Sequence, residues 1–236
     1  MPDGRKIVEL GEEIQKLSGY DIFFHYIKGL DLSRYIFDKN YLDLAAIVNF
    51  VTVDPRGNQL YQEENQDKLF AFGYEIVCKL HNYLTAAETL VCHSRTLHTR
   101  LCKRRNLFPD YLDRIDKDFK KEPLAGFIQE LRNYFLHDKS PDISFNTHFD
   151  SQWKPIRKVR IPLKHLNEKK DWGSRSKEFL KSQTEDVDVL ELSTAYKLKV
   201  TAFQDWFRMR LVEVFKEDLE LLDEKRAELQ KLYEEP

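Results

Sequence analysis

The stretch "LFAFGYEIVCKLHNYLTAAETLVCHSRTLHTRL", Leu69 to Leu101, decides the fold. Leu69, Phe72, Ile76, Leu80, Tyr83, Ala87, Leu90, Ser94, Leu97 and Leu101 recur at steps of three and four. That spacing puts them on one stripe of a helix of about forty residues, from about Gln62 to Arg105. A helix this long needs comparably long partners to cover its stripe, as in a helical bundle. It closes in "CKRRN", which sets bases at the negative end of the helix dipole.

Working outward, the same period gives a first helix from Gly4 to Leu17, stopped at "SGYD". A second follows from about Leu32 to Val51, carrying Leu44, Ile47, Val48 and Val51. "DPRGN", Asp54–Asn58, is a turn. A helix begins near Pro109 and is stopped by Pro123, and another runs from Leu124 to about Asp138. The period then changes to two: Ile143, Phe145, Thr147 and Phe149 alternate with polar residues, as do Val159, Ile161 and Leu163. With "DSQWKP" between them, these runs predict a β-hairpin inserted at about 142–165. Pro162 marks its strand as an edge. A short helix, Ser174 to Lys181, precedes a last long one at about 189–233. Leu198, Ala202, Trp206, Met209, Val212, Phe215, Leu219 and Leu222 form its stripe, and its charged final turns are expected to project from the body. The prediction is a mainly α fold, an antiparallel bundle of long helices with one hairpin, in a single domain over residues 1–236.

With 42% hydrophobic and 13% aromatic residues, the chain can fill a core and is not disordered. Eight Gly and eight Pro in 236 residues fit long regular elements. The net charge of −2 hides an uneven distribution. Residues 90–175 hold 19 Lys and Arg against 11 Asp and Glu, so a basic middle lies between acidic ends. Three cysteines, Cys78, Cys92 and Cys102, give no disulfide framework and no zinc spacing, and read as small buried hydrophobes in a reducing compartment. Cys92, His93, His98 and Cys102 scatter around a helix, so no metal site and no cofactor is expected. The charged "MPDGRKIVELGEEIQ" is no secretory signal, and "LAAIVNFVTV" is too short to span a bilayer. A cytoplasmic protein with no membrane partner is expected.

Chemistry concentrates in "FIQELRNYFLHDKSP", Phe127 to Pro141, where Arg132, Asn133 and His137 stand on a helix stopped by a Pro. Arg and His five positions apart are common, and the pattern recurs at Arg160 to His165 in "RIPLKH". That second copy falls on a predicted strand broken by Pro162. The first differs in having Asn after the Arg, a helix that stops just past the His, and a bundle around it. Asn133 and His137, four apart, share a face, whereas Arg132 lies about 140° from His137 around an ideal helix.

"ELRNYFLH", with the preceding "LHNYLTAAETLVCHSRTL", resembles the signature of HEPN domains, the higher eukaryotic and prokaryotic nucleotide-binding family, over roughly Leu60 to Pro141. The resemblance implies a helical bundle and metal-independent RNA cleavage by a homodimer, its two motifs facing one cleft. It also implies a setting such as a toxin with its antitoxin, or phage defence. His137 suits proton transfer near neutrality. Arg132 suits a phosphate through its planar, permanently charged fork. Asn133 is placed to orient the imidazole or a phosphate oxygen. The alternative is a non-catalytic HEPN-like module that binds RNA, a nucleotide or a partner protein. Glu88 is a candidate to hold Arg132, although the polar stripe that it forms with His81 and Arg95 reads first as a solvent face. Lys103, Arg104 and Arg105, with Lys158, Arg160 and Lys164 on one face of the hairpin, are candidates to track an RNA backbone.

Overall fold

The structure is a computed structural model that describes residues 4–103 and 106–234. The stripe of Leu69 to Leu101 forms as read: helix α4 spans Gln66–Leu97 and continues as a π-helical turn over His98–Cys102. Every stripe residue is buried except Phe72 and Leu101, which are half-buried. Before it come α1 (Gly4–Gln15), α2 (Ser18–Tyr20), a π-helical segment (Asp21–Ile27) and α3 (Lys28–Thr52). After it come α5 (Tyr111–Ile115), a second π-helical turn (Asp116–Lys120) and α6 (Pro123–His137). Strands β1 (Ser144–Phe149) and β2 (Pro155–Ile161) form the hairpin. Then follow α7 (Leu163–Leu166), α8 (Ser174–Ser182), β3 (Val187–Asp188), α9 (Val189–Val214) and α10 (Lys216–Glu234). The fold is mainly α with a small inserted sheet. None of these described helices is long and apolar enough to cross a membrane.

Where the sequence reads as one domain, contacts group the chain into two compact units: 1–34 with 93–109 and 202–236, and 35–92 with 110–201. In the first unit, Leu10 and Ile14 of α1 pack with Leu222 and Leu232 of α10. The last helix therefore does not project: its charged face is outside, and its leucines close a small core. The first helix stops just before "SGYD", at Gln15, and Ser18 then opens a new helical run. Gly19 is there for proximity, since a Cβ on it would fall 2.1 Å from the Asp218 carbonyl oxygen.

The core of the second unit holds Phe37, Leu44, Ile76, Leu80, Tyr83, Phe127, Leu131 and Ile161, all at most 1% exposed. Tyr83 stacks on Phe37 and donates its hydroxyl to the Ser193 carbonyl at 2.8 Å, and burial pushes its phenol pKa far up. β1 and β2 pair antiparallel, Ser144 opposite Arg160 through Phe149 opposite Pro155. Because β3 pairs with Arg160 and Ile161, β2 is the central strand, not an edge. Pro162 lies just past its end, where no ladder N–H is wanted, and leads into α7.

On α9 the buried row is Leu192, Tyr196, Val200, Phe203, Phe207 and Leu211. Of the row read from sequence, Leu198, Met209 and Val212 are exposed along α9, whereas Phe215 and Leu222, beyond its end, are buried. Both rows have helical spacing, and the one richer in aromatic area is inside, as hydrophobic burial favours.

Candidate functional site

Helix α6 begins where Glu122 is extended and Pro123 takes the first turn, which needs no N–H. Its buried arc is Leu124, Phe127, Ile128, Leu131 and Tyr134. Phe127 stacks on Phe179 at 4.5 Å, and both Phe127 and Tyr134 meet Trp172. Glu130 accepts the Gly173 N–H at 2.8 Å. These contacts fix the rotation of α6. The helix ends after His137, where Asp138 leaves helical geometry and the N–H groups of Asp138 and Lys139 both bond the Tyr134 carbonyl.

That rotation turns the motif outward. Asn133 and His137 are exposed and Arg132 is half-buried, so the three share the solvent arc of the last two turns. Leu136, 42% exposed, lies between them on that arc. Arg132 donates from Nη1 to Asn133 Oδ1 at 3.1 Å. Its Nε is shielded from water without a hydrogen-bond partner. Among the described residues no carboxylate lies within ion-pair reach of Arg132. The guanidinium is thus anchored by a neutral amide and keeps its full charge.

The flanking candidates fare differently. Glu88 is half-buried, and its Oε1 accepts from the Cys92 thiol at 3.3 Å rather than from Arg132. It lies close enough to Tyr196 to raise that phenol's pKa, secondarily to burial. Arg95 is exposed and belongs to the first unit. The ring of His81 meets Phe135 of α6 at 5.8 Å, so this histidine packs between helices. Lys103 is exposed; Arg104 and Arg105 lie outside the described residues.

The basic face expected on the hairpin does not exist as drawn. Lys158 bonds Glu191 at 2.5 Å and lies 3.7 Å from Asp188. Arg160 is 7% exposed and paired with Glu185 at 2.5 Å. Lys164 is not on the strand at all but on the turn of α7. Two of the three charges are therefore spent inside the fold, by carboxylates too distant in sequence to foresee.

Two further features escape a reading of spacing. A groove of about 550 Å³ in the second unit is lined by Val48, Val53, Val159, Leu190 and Leu198, with Lys158 and Glu191 at its rim. It assembles from α3, β2 and α9, so no local pattern announces it. At the hairpin tip, Trp153 is 82% exposed with φ of 58°, beside Phe149. The sequence shows the turn there without showing which way the indole points. Cys78 and Cys92 are exposed, against expectation; only Cys102 is buried, which raises its thiol pKa to about 11. Among the described residues no three His, Cys, Asp or Glu side chains group to hold a metal ion. No protein-family model, curated protein or solved structure matches the chain.

Proposed function

We propose that the chain is a metal-independent endoribonuclease of the HEPN type. The observation that carries this reading is the un-neutralised Arg132 guanidinium, held by Asn133 on the same exposed arc as His137. In the reaction, the ribose 2′-oxygen attacks the adjacent phosphorus while its proton passes to a base. The bond from phosphorus to the 5′-oxygen breaks, and that oxygen takes a proton from an acid. The products are a 2′,3′-cyclic phosphate and a 5′-hydroxyl. Arg132 holds the charge that builds on phosphorus, where a charge-assisted fork is strongest. His137 carries the proton, in either direction.

One exposed helix end offers a single imidazole and no walls against water. A second copy of the chain, facing the first across the two α6 ends, supplies the other acid–base group and the second wall. A toxin or phage-defence role is the setting proposed with it.

Incubating RNA in EDTA with the parent and with His137→Ala tests the claim. Cleavage by the parent that drops about 10²- to 10⁴-fold in the variant is expected. Equal cleavage by both, or by neither, removes the catalytic reading. One observation favours a second reading, a module that binds RNA without cutting it. Among the described residues nothing hydrogen-bonds His137, so its tautomer is not fixed as catalytic histidines usually are. That module retains RNA in EDTA and leaves it intact.

A further inference from the structure

The strongest unassigned feature is the hairpin tip. Asp150 builds it: its carboxylate accepts the N–H of Gln152 at 2.8 Å and of Lys154 at 2.9 Å, while its carbonyl takes the Trp153 N–H. The backbone N–H of Asp150 also bonds the Lys154 carbonyl, so the turn is closed on itself. Within it Trp153 adopts the left-handed conformation, where Gly or Asn fits and a bulky side chain is strained. The indole gains no burial in return, being 82% exposed. Phe149, 60% exposed, stands 6.0 Å away at 45°. Strain and exposed apolar area both work against the isolated fold. Together they mark a side chain kept for what it binds.

The charges nearby say what that is. Lower on the hairpin, Lys158 and Arg160 are matched by carboxylates. Toward the tip they are not. Lys154 is exposed with no carboxylate in ion-pair reach among the described residues. Arg157 lies over the Tyr61 ring at 4.3 Å and bonds the neutral Asn58 amide. Aromatic rings open to solvent beside un-neutralised cations fit a ligand with both flat bases and phosphates. A lipid surface fits less well, because Asp150, Ser151 and Gln152 form the apex between the two rings and would have to enter hydrocarbon first.

We propose that Phe149 and Trp153 at the hairpin tip form a stacking platform for bases of single-stranded RNA, with Lys154 and Arg157 taking its phosphates. This rests on the proposal that the chain acts on RNA, and adds that its substrate is single-stranded where it meets the tip. β1 starts seven residues after His137, so platform and motif are tied by a short segment.

The test uses the full chain carrying His137→Ala, so that RNA survives, with labelled oligouridylate of about 12 nucleotides in EDTA. Adding Trp153→Asn should weaken binding about tenfold and leave the melting temperature equal or higher, since Asn tolerates the left-handed backbone. Trp153→Phe should keep most of the affinity. A duplex of the same length should bind less tightly than the single strand and ignore the substitution. Unchanged affinity in Trp153→Asn overturns the platform, as does a loss matched by a lower melting temperature. Trp153-dependent capture by phosphatidylserine-containing vesicles, without RNA binding, moves the tip to membranes and overturns it too. RNA held through Trp153 by a chain that never cleaves leaves the platform standing and removes the nuclease. Cleavage that needs His137 with binding indifferent to Trp153 does the reverse.

Discussion

Arg132 at the end of α6 and Arg160 at the base of the hairpin begin the same six-residue Arg-to-His spacing, and both leave Nε buried without a partner. They differ in what receives the rest of the fork. Arg160 gives Nη2 to the Glu185 carboxylate and sits at the junction of β2 with β3. Arg132 gives Nη1 to the Asn133 amide beside open solvent. An amide fixes direction without cancelling charge, whereas a carboxylate does both. The amide arrangement suits a ligand-facing cation and the carboxylate arrangement a structural tie, although both arginines stand at the same spacing from a histidine.

That contrast can be broken by experiment. The largest effect expected is on catalysis: Arg132→Ala should lower RNA cleavage about 10²- to 10³-fold, while urea unfolding shifts by less than about 0.5 kcal/mol. A comparable loss of cleavage in Arg160→Ala, assayed while folded, would erase the distinction. Next in size, Arg160→Ala should cost about 2 kcal/mol in urea unfolding, from the packed stem and the lost charged hydrogen bond. Smaller still, Glu185→Gln should cost at most about 1 kcal/mol, because Glu185 is 63% exposed and solvent screens it.

The smallest effect separates the two arginines from a histidine in the first unit. Burial, and then Lys103, lower the pKa of His98, which packs by Phe108. The unfolded chain then binds the proton more readily than the folded one. Stability should fall as pH drops through about 6.5. Thermal melts between pH 7 and 5 should show that decline, and His98→Gln should flatten it.

How much of this was legible follows from the range of each interaction. The long stripe, the limits of α6 and the change of period at Ile143 are local, and each formed as read. Asn133 and His137, four apart, share a face by their spacing, but that this face is exposed comes from the packing of α6. The break after Val214 carries no Pro or Gly, and β3 is two residues long, so neither left a mark. The hairpin's neutralisation depends on Glu185, Asp188 and Glu191, brought in by tertiary folding. The stop of the first helix before Gly19 was legible, but the close approach of Asp218 that Gly19 permits was not, because Asp218 lies far along the chain.

The pairing of α1 with α10 also sets an order of events during synthesis. Leu10 and Ile14 emerge early, but the leucines that cover them follow about two hundred residues later. At roughly 5–20 residues per second, that apolar face waits on the order of tens of seconds on the ribosome. Meanwhile α6 and the hairpin have been made and can settle against α4, and α8 against α6. The first unit is sealed late, and its first helix is the segment a nascent-chain chaperone would meet.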